Sequence, residues 1–178
     1  DHVSTMLFSP TITGMENLAN ENFKLNAAPP FTIDTPAVYH SGDVMYDNSL
    51  YFSKISEEKS TILDDLGLRG KDFILSTIHR PSNTDSKERL EGLMETLLEI
   101  AEGNKTPLIL PLHPRTKAKL EQFFSGESLM NRLENSEYFR FVPPCGFLDI
   151  IALEKNCSMV MSDSGGVQKE AYFFGKPC

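Results

Sequence analysis

Residues 162–166, Ser-Asp-Ser-Gly-Gly, could bind an anion, because they follow an apolar run that is typical of a buried strand and precede a helical pattern. Glycines let backbone N–H groups approach a ligand closely, and a helix N-terminus offers unpaired donors with partial positive charge. Glu170, about one turn into that helix, could accept hydrogen bonds from sugar or ribose hydroxyls. The pattern suits a phosphate-and-ribose site, but many Gly-rich turns in α/β domains bind nothing, and spacing alone leaves both interpretations open.

Three further predicted strands also end in unusual residues, and two of these ends pair a histidine with an arginine. They are followed by His79 and Arg80, by His113, Pro114 and Arg115, and by Pro-Pro-Cys-Gly at 143–146. In an open parallel sheet, ligands bind at the carboxyl ends of the strands. An arginine can hold a diphosphate through two parallel hydrogen bonds, and a histidine can donate to it or transfer a proton. We therefore expect a phosphate-containing ligand at this edge.

These polar residues differ in how strongly the sequence assigns them to function. His79 and Arg80 are predicted to act on the ligand, because they would lie beside the glycine turn. For His113 and Arg115, binding and a purely structural role both stay open, since the proline between them makes a rigid turn. Asp163 is interpreted as a turn-stabilising residue, because an aspartate before a glycine turn often accepts hydrogen bonds from backbone N–H groups.

Metal binding and serine hydrolysis fit the sequence poorly. The four histidines at positions 2, 40, 79 and 113 have no short spacing that would build a metal site. Ser164 does not lie in the Gly-x-Ser-x-Gly elbow of α/β-hydrolases. We expect neither a metal nor a cofactor.

The bulk composition predicts a cytoplasmic globular protein that binds neither nucleic acid nor membrane. The net charge is −8 and the basic residues are scattered, whereas a nucleic-acid backbone requires clustered Lys and Arg. No apolar run approaches the length of a membrane span, and no signal peptide is visible. Three cysteines without CxxC spacing predict reduced thiols.

Strand and helix patterns alternate along the chain, which predicts an α/β fold: a Rossmann-like parallel sheet with helices on both faces. The predicted strands are 6–9, 37–40, 73–78, 108–112, 139–142 and 159–162. Helices are predicted at about 13–22, 45–66, 86–102, 116–124 and 148–154, with a last one after the glycine turn that ends at Gly175. Asp85 is the predicted cap of the third helix, with Glu88 completing a capping box.

A Pro-rich segment at 26–30 predicts an interdomain linker. Residues 1–36 are predicted to be the tail of an N-terminal Rossmann-like domain with its linker, and residues 37–178 a truncated C-terminal Rossmann-like domain. The chain starts without Met and stops where another strand is expected. We therefore expect it to be a piece of a longer protein.

Seven segments in a fixed order carry a resemblance to a known family. They are Asp-His-Val-Ser at 1–4, Phe-Ser-Pro-Thr at 8–11, Ser-Gly-Asp-Val-Met-Tyr-Asp at 41–47, Thr-Ile-His-Arg at 77–80 with Asn-Thr-Asp at 83–85, Leu-His-Pro-Arg-Thr at 112–116, Gly-Phe-Leu-Asp at 146–149 and Ser-Asp-Ser-Gly-Gly-Val-Gln-Lys-Glu-Ala at 162–171. In these segments the chain resembles the non-hydrolysing UDP-N-acetylglucosamine 2-epimerases. The resemblance covers essentially the whole chain.

The resemblance implies the second domain of a glycosyltransferase-B-type two-domain architecture, with a UDP-sugar in the cleft and a homodimeric full-length protein. The site residues it implies are Ser164, Gly165 and Gly166 for the diphosphate, Glu170 for the ribose hydroxyls, and His79, Arg80 and His113 near the diphosphate. Among these, His79 is the implied catalytic residue. Arg80 and His113 match positions at which bacterial members bind a second, regulatory UDP-sugar, so an allosteric role is also implied for them.

The implied reaction interconverts UDP-GlcNAc and UDP-ManNAc, for cell-surface polysaccharide precursors. It proceeds by anti elimination of UDP to 2-acetamidoglucal, followed by syn re-addition with inversion at C2. Elimination requires a base at C2 and a group that stabilises the departing diphosphate. The catalytic carboxylates of the family lie upstream of Asp1, so the chain is expected to carry only the leaving-group half of the site and to be inactive alone. One departure is Pro81-Ser82-Asn83, where the family commonly has Glu before Asn.

Four alternatives share parts of this pattern. A hydrolysing 2-epimerase would have the same fold, with a more Ser-rich turn than residues 163–166. An epimerase of a UDP-2,3-diacetamido-uronic acid would differ mainly in sugar contacts from the other domain. A glycosyltransferase-B-type glycosyltransferase would use Glu170 for ribose in the same way, and a nucleotide-binding module would lack catalysis altogether.

Overall fold

The computed structural model describes residues 1–178, in which six parallel strands alternate with nine helices. The strands are β1 (Met6–Ser9), β2 (Ala37–His40), β3 (Ile74–Thr77), β4 (Leu108–Pro111), β5 (Phe139–Val142) and β6 (Met159–Ser162). The helices are α1 (Ile12–Asn20), α2 (Val44–Lys59), α3 (Ile62–Asp65), α4 (Pro81–Thr84), α5 (Lys87–Asn104), α6 (Pro114–Phe124), α7 (Ser128–Asn135), α8 (Phe147–Asn156) and α9 (Gly165–Phe173). All six strands were predicted from the sequence to within two residues.

The first compact unit, Asp1–Asn48, contains a two-stranded parallel sheet. β1 and β2 pair from Met6 with Ala37 to Ser9 with His40. Helix α1 begins at the N-cap Thr11, whose side chain accepts a hydrogen bond from the Gly14 N–H group. Leu7, Leu18 and Val38 form the small core of this unit.

The second compact unit, Ser49–Cys178, is built on a four-stranded parallel sheet in the order β5-β4-β3-β6. Alternate residues of each strand point to opposite faces of the sheet. On one face, Ile74, Leu108 and Leu110 pack with helices α5, α6 and α7. On the other face, Leu75, Ile109 and Val160 pack with helices α3, α8 and α9. Both faces are therefore covered, as expected of a parallel sheet. The predicted α/β, Rossmann-like class is confirmed.

The compact units divide after Asn48, twelve residues beyond the boundary that the Pro-rich segment predicted. The reason is strand pairing: β2 hydrogen-bonds to β1 along its whole length, and this pairing ties residues 37–40 to the first unit. No composition change marks that pairing, because it joins residues about thirty positions apart.

Local capping also differs from the prediction at two helices. The predicted helix 45–66 is two helices, because the Ser60 hydroxyl accepts a hydrogen bond from the Ile62 N–H group and competes with the helical pattern. Ser86, and not Asp85, caps α5 and accepts a hydrogen bond from the Arg89 N–H group. Helices α4 and α7 were not predicted. None of the helices combines the length and apolar character that a membrane span requires.

Candidate functional site

The carboxyl ends of β3, β4, β5 and β6 meet at one edge of the sheet. Thr77 at the end of β3 pairs with Ser162 at the end of β6, and their hydroxyl oxygens lie 2.6 Å apart. A cavity of about 210 Å³ at this edge is lined by residues that follow all four strands, including His79, His113, Cys145 and Val167. The structure thus brings together the four predicted strand ends.

Asp163 connects the ends of β6 and β3. Its carboxylate accepts hydrogen bonds from the backbone N–H groups of His79 (3.1 Å) and Arg80 (2.9 Å) and from Asn83 Nδ2 (3.0 Å). The same carboxylate lies 3.4 Å from His79 Nδ1, and its side chain is only 10% exposed. The interpretation of Asp163 as a residue that stabilises its own turn was therefore too local, because the backbone groups that it satisfies belong to a loop 84 residues away.

A second contact holds the same loop from the other side. The buried Thr116 hydroxyl, on α6, donates to the Ile78 carbonyl oxygen. Arg80 follows as the N-cap of the short helix α4, and its side chain is exposed. A Cβ atom added to Gly165 would lie 3.8 Å from Arg80 Nη2, so the guanidinium is next to the first turn of α9.

The N-terminus of α9 presents free backbone donors. Ser164 is the N-cap, and its hydroxyl accepts from the Val167 N–H group at 3.5 Å. The N–H groups of Gly165 and Gly166 make no hydrogen bond in this structure, as is usual for the first turn of a helix. The helix ends as predicted near Gly175, whose positive φ of 65° allows the closing turn.

His113 and Arg115 separate into two different roles. His113 Nδ1 accepts a hydrogen bond from the Arg115 N–H group at 3.2 Å, which leaves Nε2 as the free nitrogen of the ring. The His113 ring centroid lies 5.5 Å from that of His79. The Arg115 guanidinium instead holds Asp85 through contacts of 2.6 and 2.7 Å, and it lowers the pKa of the Asp85 carboxyl. Arg115 is thus a structural residue, and His113 is the member of this pair that lines the cavity.

Two glutamates lie on the neighbouring helices α8 and α9. Glu170 is partly buried, and burial raises the pKa of its carboxyl. Glu154 is completely buried, and neither of its carboxylate oxygens has a hydrogen-bond partner. Burial and the nearby charge of Glu170 raise the pKa of Glu154 to about 8. Sequence reasoning missed Glu154, since a glutamate at that position of a predicted helix is usually a solvent-exposed residue.

No group of three or more His, Cys, Asp or Glu side chains is arranged to hold a metal ion. The donors at the sheet edge are backbone N–H groups, an arginine and histidines, which match an anion and not a cation.

A family model described as UDP-N-acetylglucosamine 2-epimerase matches residues 1–178. The chain belongs to the UDP-N-acetylglucosamine 2-epimerase family. The resemblance carried by the seven segments is confirmed.

Relatives and solved structures extend this finding. The chain is 40% identical to a UDP-N-acetylglucosamine 2-epimerase homolog of Methanococcus maripaludis, and 41% identical to the UDP-2,3-diacetamido-2,3-dideoxy-D-glucuronate 2-epimerase of Pseudomonas aeruginosa. All of this chain is covered in both cases, but only 45% and 44% of those relatives. The chain therefore spans about half the length of the curated relatives that it matches.

The crystal structure of Methanocaldococcus jannaschii UDP-GlcNAc 2-epimerase in complex with UDP-GlcNAc and UDP matches the fold with a TM-score of 0.80 at 32% identity. The match covers 100% of this chain and 45% of that one. The predicted fold class, with relatives of glycosyltransferase-B-type architecture, is confirmed.

Proposed function

We propose that the protein containing this chain is a non-hydrolysing UDP-GlcNAc 2-epimerase, and that residues 49–178 bind the UDP part of the substrate. The observation that carries the proposal is the first turn of α9, where two free backbone N–H groups lie next to Arg80. The loop that carries His79 is hydrogen-bonded to Asp163, the residue before the N-cap of this helix. The fold match to an epimerase whose crystal structure contains UDP-GlcNAc and UDP supports the same ligand.

The diphosphate is proposed to bind at the N-terminus of α9. The free N–H groups of Gly165 and Gly166 and the helix dipole favour negative charge there, and the Arg80 guanidinium adds a positive charge at the same turn. Ser164 contributes by capping the helix and fixing the direction of these donors. Glu170 lies five residues after Gly165, about 7.5 Å further along the helix axis, which suits the distance between a diphosphate and a ribose ring.

The chemistry proposed for these residues is stabilisation of a leaving group. In the elimination, a base removes the C2 proton of the sugar, a C1–C2 double bond forms, and the C1–O bond breaks with its electron pair going to UDP. Donors aimed at the departing diphosphate lower this barrier because negative charge develops there. His79 and His113 line the cavity beside that position. The carboxylates that move the proton are proposed to belong to the other domain of the full-length protein.

The remaining expectations are proposals for the whole protein. The expected domains, 1–36 and 37–178, are proposed with their boundary moved to Asn48, where the compact units divide: residues 1–48 then belong to the N-terminal Rossmann-like domain and residues 49–178 to the C-terminal one. The full-length protein is proposed to be a cytoplasmic homodimer. Arg80 and His113 are proposed to contact the substrate or a second, regulatory UDP-sugar.

The test is NMR of the full-length protein with UDP-GlcNAc in D2O. A non-hydrolysing epimerase produces UDP-ManNAc with deuterium at C2, together with traces of UDP and 2-acetamidoglucal. A hydrolysing enzyme would instead accumulate UDP and free ManNAc, and a glycosyltransferase would release no glucal. UDP-2,3-diacetamido-2,3-dideoxy-D-glucuronate is the matched second substrate, since one relative is named for it. Turnover of that sugar alone, with no exchange at C2 of UDP-GlcNAc, would contradict the proposal.

A further inference from the structure

The Asp163 carboxylate has more hydrogen-bond donors around it than a turn requires. Two backbone N–H groups and the amide of Asn83 donate to its oxygens, and Nδ1 of the His79 imidazole lies 3.4 Å from Oδ1. The side chain is nine-tenths removed from solvent, so these contacts are little weakened by water. Its position, directly before the cap of α9, links the phosphate-binding turn to the loop that carries His79.

The orientation of the His79 ring follows from this arrangement. Nδ1 lies 3.4 Å from Asp163 Oδ1, and a carboxylate can only accept hydrogen bonds, so the proton of the neutral ring is favoured on Nδ1. Nε2 is then the nitrogen left for a ligand in the cavity that His79 lines.

We propose that Asp163 is a positioning residue that fixes the tautomer and direction of the His79 imidazole toward the departing diphosphate. The expected effect on catalysis rests on the proposed function, whereas the tautomer and direction of the His79 ring do not depend on it. A carboxylate on the far nitrogen of a catalytic histidine acts in this way in hydrolase triads, where it orients the ring without reacting itself. Here the same carboxylate also fixes the backbone on which the ring is carried.

If Asp163 only anchored the loop that carries His79, removing another anchor of that loop should have a similar effect on catalysis. Thr116 holds the same loop through a hydrogen bond to the Ile78 carbonyl, but it places no charge beside the imidazole. Thr116→Val keeps the side-chain shape and removes this contact, and it is therefore the matched control for loop anchoring. Asp163→Asn keeps the shape of Asp163 and removes its charge.

The experiment measures epimerisation kinetics and imidazole 15N shifts in the full-length protein, for wild type, Asp163→Asn and Thr116→Val. We expect Asp163→Asn to lower kcat about 100-fold or more with KM changed less than threefold, since loss of an orienting carboxylate lowers activity about 10- to 10,000-fold elsewhere. We expect Thr116→Val to change kcat less than threefold. In the wild-type spectrum the neutral His79 ring should be protonated on Nδ1, and in Asp163→Asn this preference should be lost.

Each possible result either supports or contradicts the proposed role of Asp163. A wild-type His79 that is protonated on Nε2 when neutral would overturn it, even if Asp163→Asn fails to fold. Equal losses of kcat in Asp163→Asn and Thr116→Val would also overturn it, since loop anchoring would then explain both. If the wild-type protein lacks epimerase activity, the proposed function fails, but the 15N shifts still test the orientation of the ring.

Discussion

At the scale of single residues, Glu154 on α8 and Glu170 on α9 differ in how far their carboxyl groups are buried. Glu170 is partly exposed and available to a ligand, whereas the carboxyl of Glu154 is enclosed without any partner. An isolated buried carboxylate is costly, so Glu154 is neutral in the folded protein at neutral pH, in line with its pKa of about 8.

The titration of Glu154 predicts a pH-dependent stability. Its folded pKa of about 8 exceeds the ordinary value of 4.5, so between these pH values the folded state keeps a proton that the unfolded state has lost. The free energy of unfolding should therefore fall as pH rises from 5 to 8, by on the order of 3 kcal/mol from this group. Glu154→Gln should remove that part of the slope in urea unfolding at pH 5, 6.5 and 8.

The control for this prediction is Glu99→Gln, a substitution of an exposed glutamate on α5. It should leave the pH dependence as in the wild type. An unchanged slope in Glu154→Gln would mean that the buried carboxyl titrates normally.

Glu170 is predicted to bind the ribose hydroxyls of UDP. Glu170→Gln keeps the size of the side chain but replaces a charged acceptor by a neutral amide, and hydrogen bonds to charged groups are the stronger ones. We expect UDP to bind about tenfold more weakly, which corresponds to about 1.4 kcal/mol. Isothermal titration calorimetry measures this change, with Glu58→Gln on the exposed side of α2 as the control. Equal affinity in the two variants would exclude Glu170 from the site.

At the scale of elements, the junction between β6 and α9 determines how closely a ligand can approach. Ser164 caps the helix and the two glycines leave its first turn without side chains. The Schellman-type end at Gly175, where the Lys176 N–H group donates to the Ala171 carbonyl, fixes the other terminus. The helix is therefore well defined at both ends, and its first turn is the part left for binding.

This arrangement predicts that Gly165→Ala weakens UDP binding but leaves the stability of the fold almost unchanged. The added Cβ would meet only the Arg80 guanidinium, at an ordinary contact distance of 3.8 Å, so the thermal midpoint should change by less than about 2 °C. The same methyl group would lie where a diphosphate approaches, and we expect UDP affinity to fall about tenfold or more. Thermal unfolding with and without UDP measures both effects. Gly103→Ala, near the end of α5 with open space around its Cβ, is the control that should keep full affinity.

At the scale of the whole molecule, the chain matches about half the length of its relatives. The residues that it contributes to the site are donors to an anion, no Asp or Glu lines the cavity, and the Asp163 carboxylate accepts hydrogen bonds from the His79 loop. The proposed mechanism therefore assigns the acid/base groups to another part of the full-length protein.

A polypeptide of residues 1–178 is accordingly predicted to have no epimerase turnover. Deuterium should not enter C2 of UDP-GlcNAc on prolonged incubation in D2O. UDP should still raise its thermal midpoint, because the donors on α9 remain, and this shift is the control for correct folding. Measurable exchange at C2 by this polypeptide would contradict the division of the site.

Much of this protein follows from the sequence alone. Apolar runs and glycine turns determine the six strands and the helix α9, because burial and left-handed backbone are local requirements that particular residue types meet. The ordered motifs around His79, His113 and Ser164 determine the family, which the family model confirms.

Only the tertiary structure decided which of the polar residues act together. The contacts of Asp163 with the His79 loop, the pairing of Arg115 with Asp85, and the enclosure of Glu154 each join residues from different elements. The division between the two compact units after Asn48 likewise depends on the pairing of β2 with β1. Spacing along a chain gives the type and order of side chains. Their distances and burial are set by how the elements pack, and these contacts determine charge, orientation and access to the ligand.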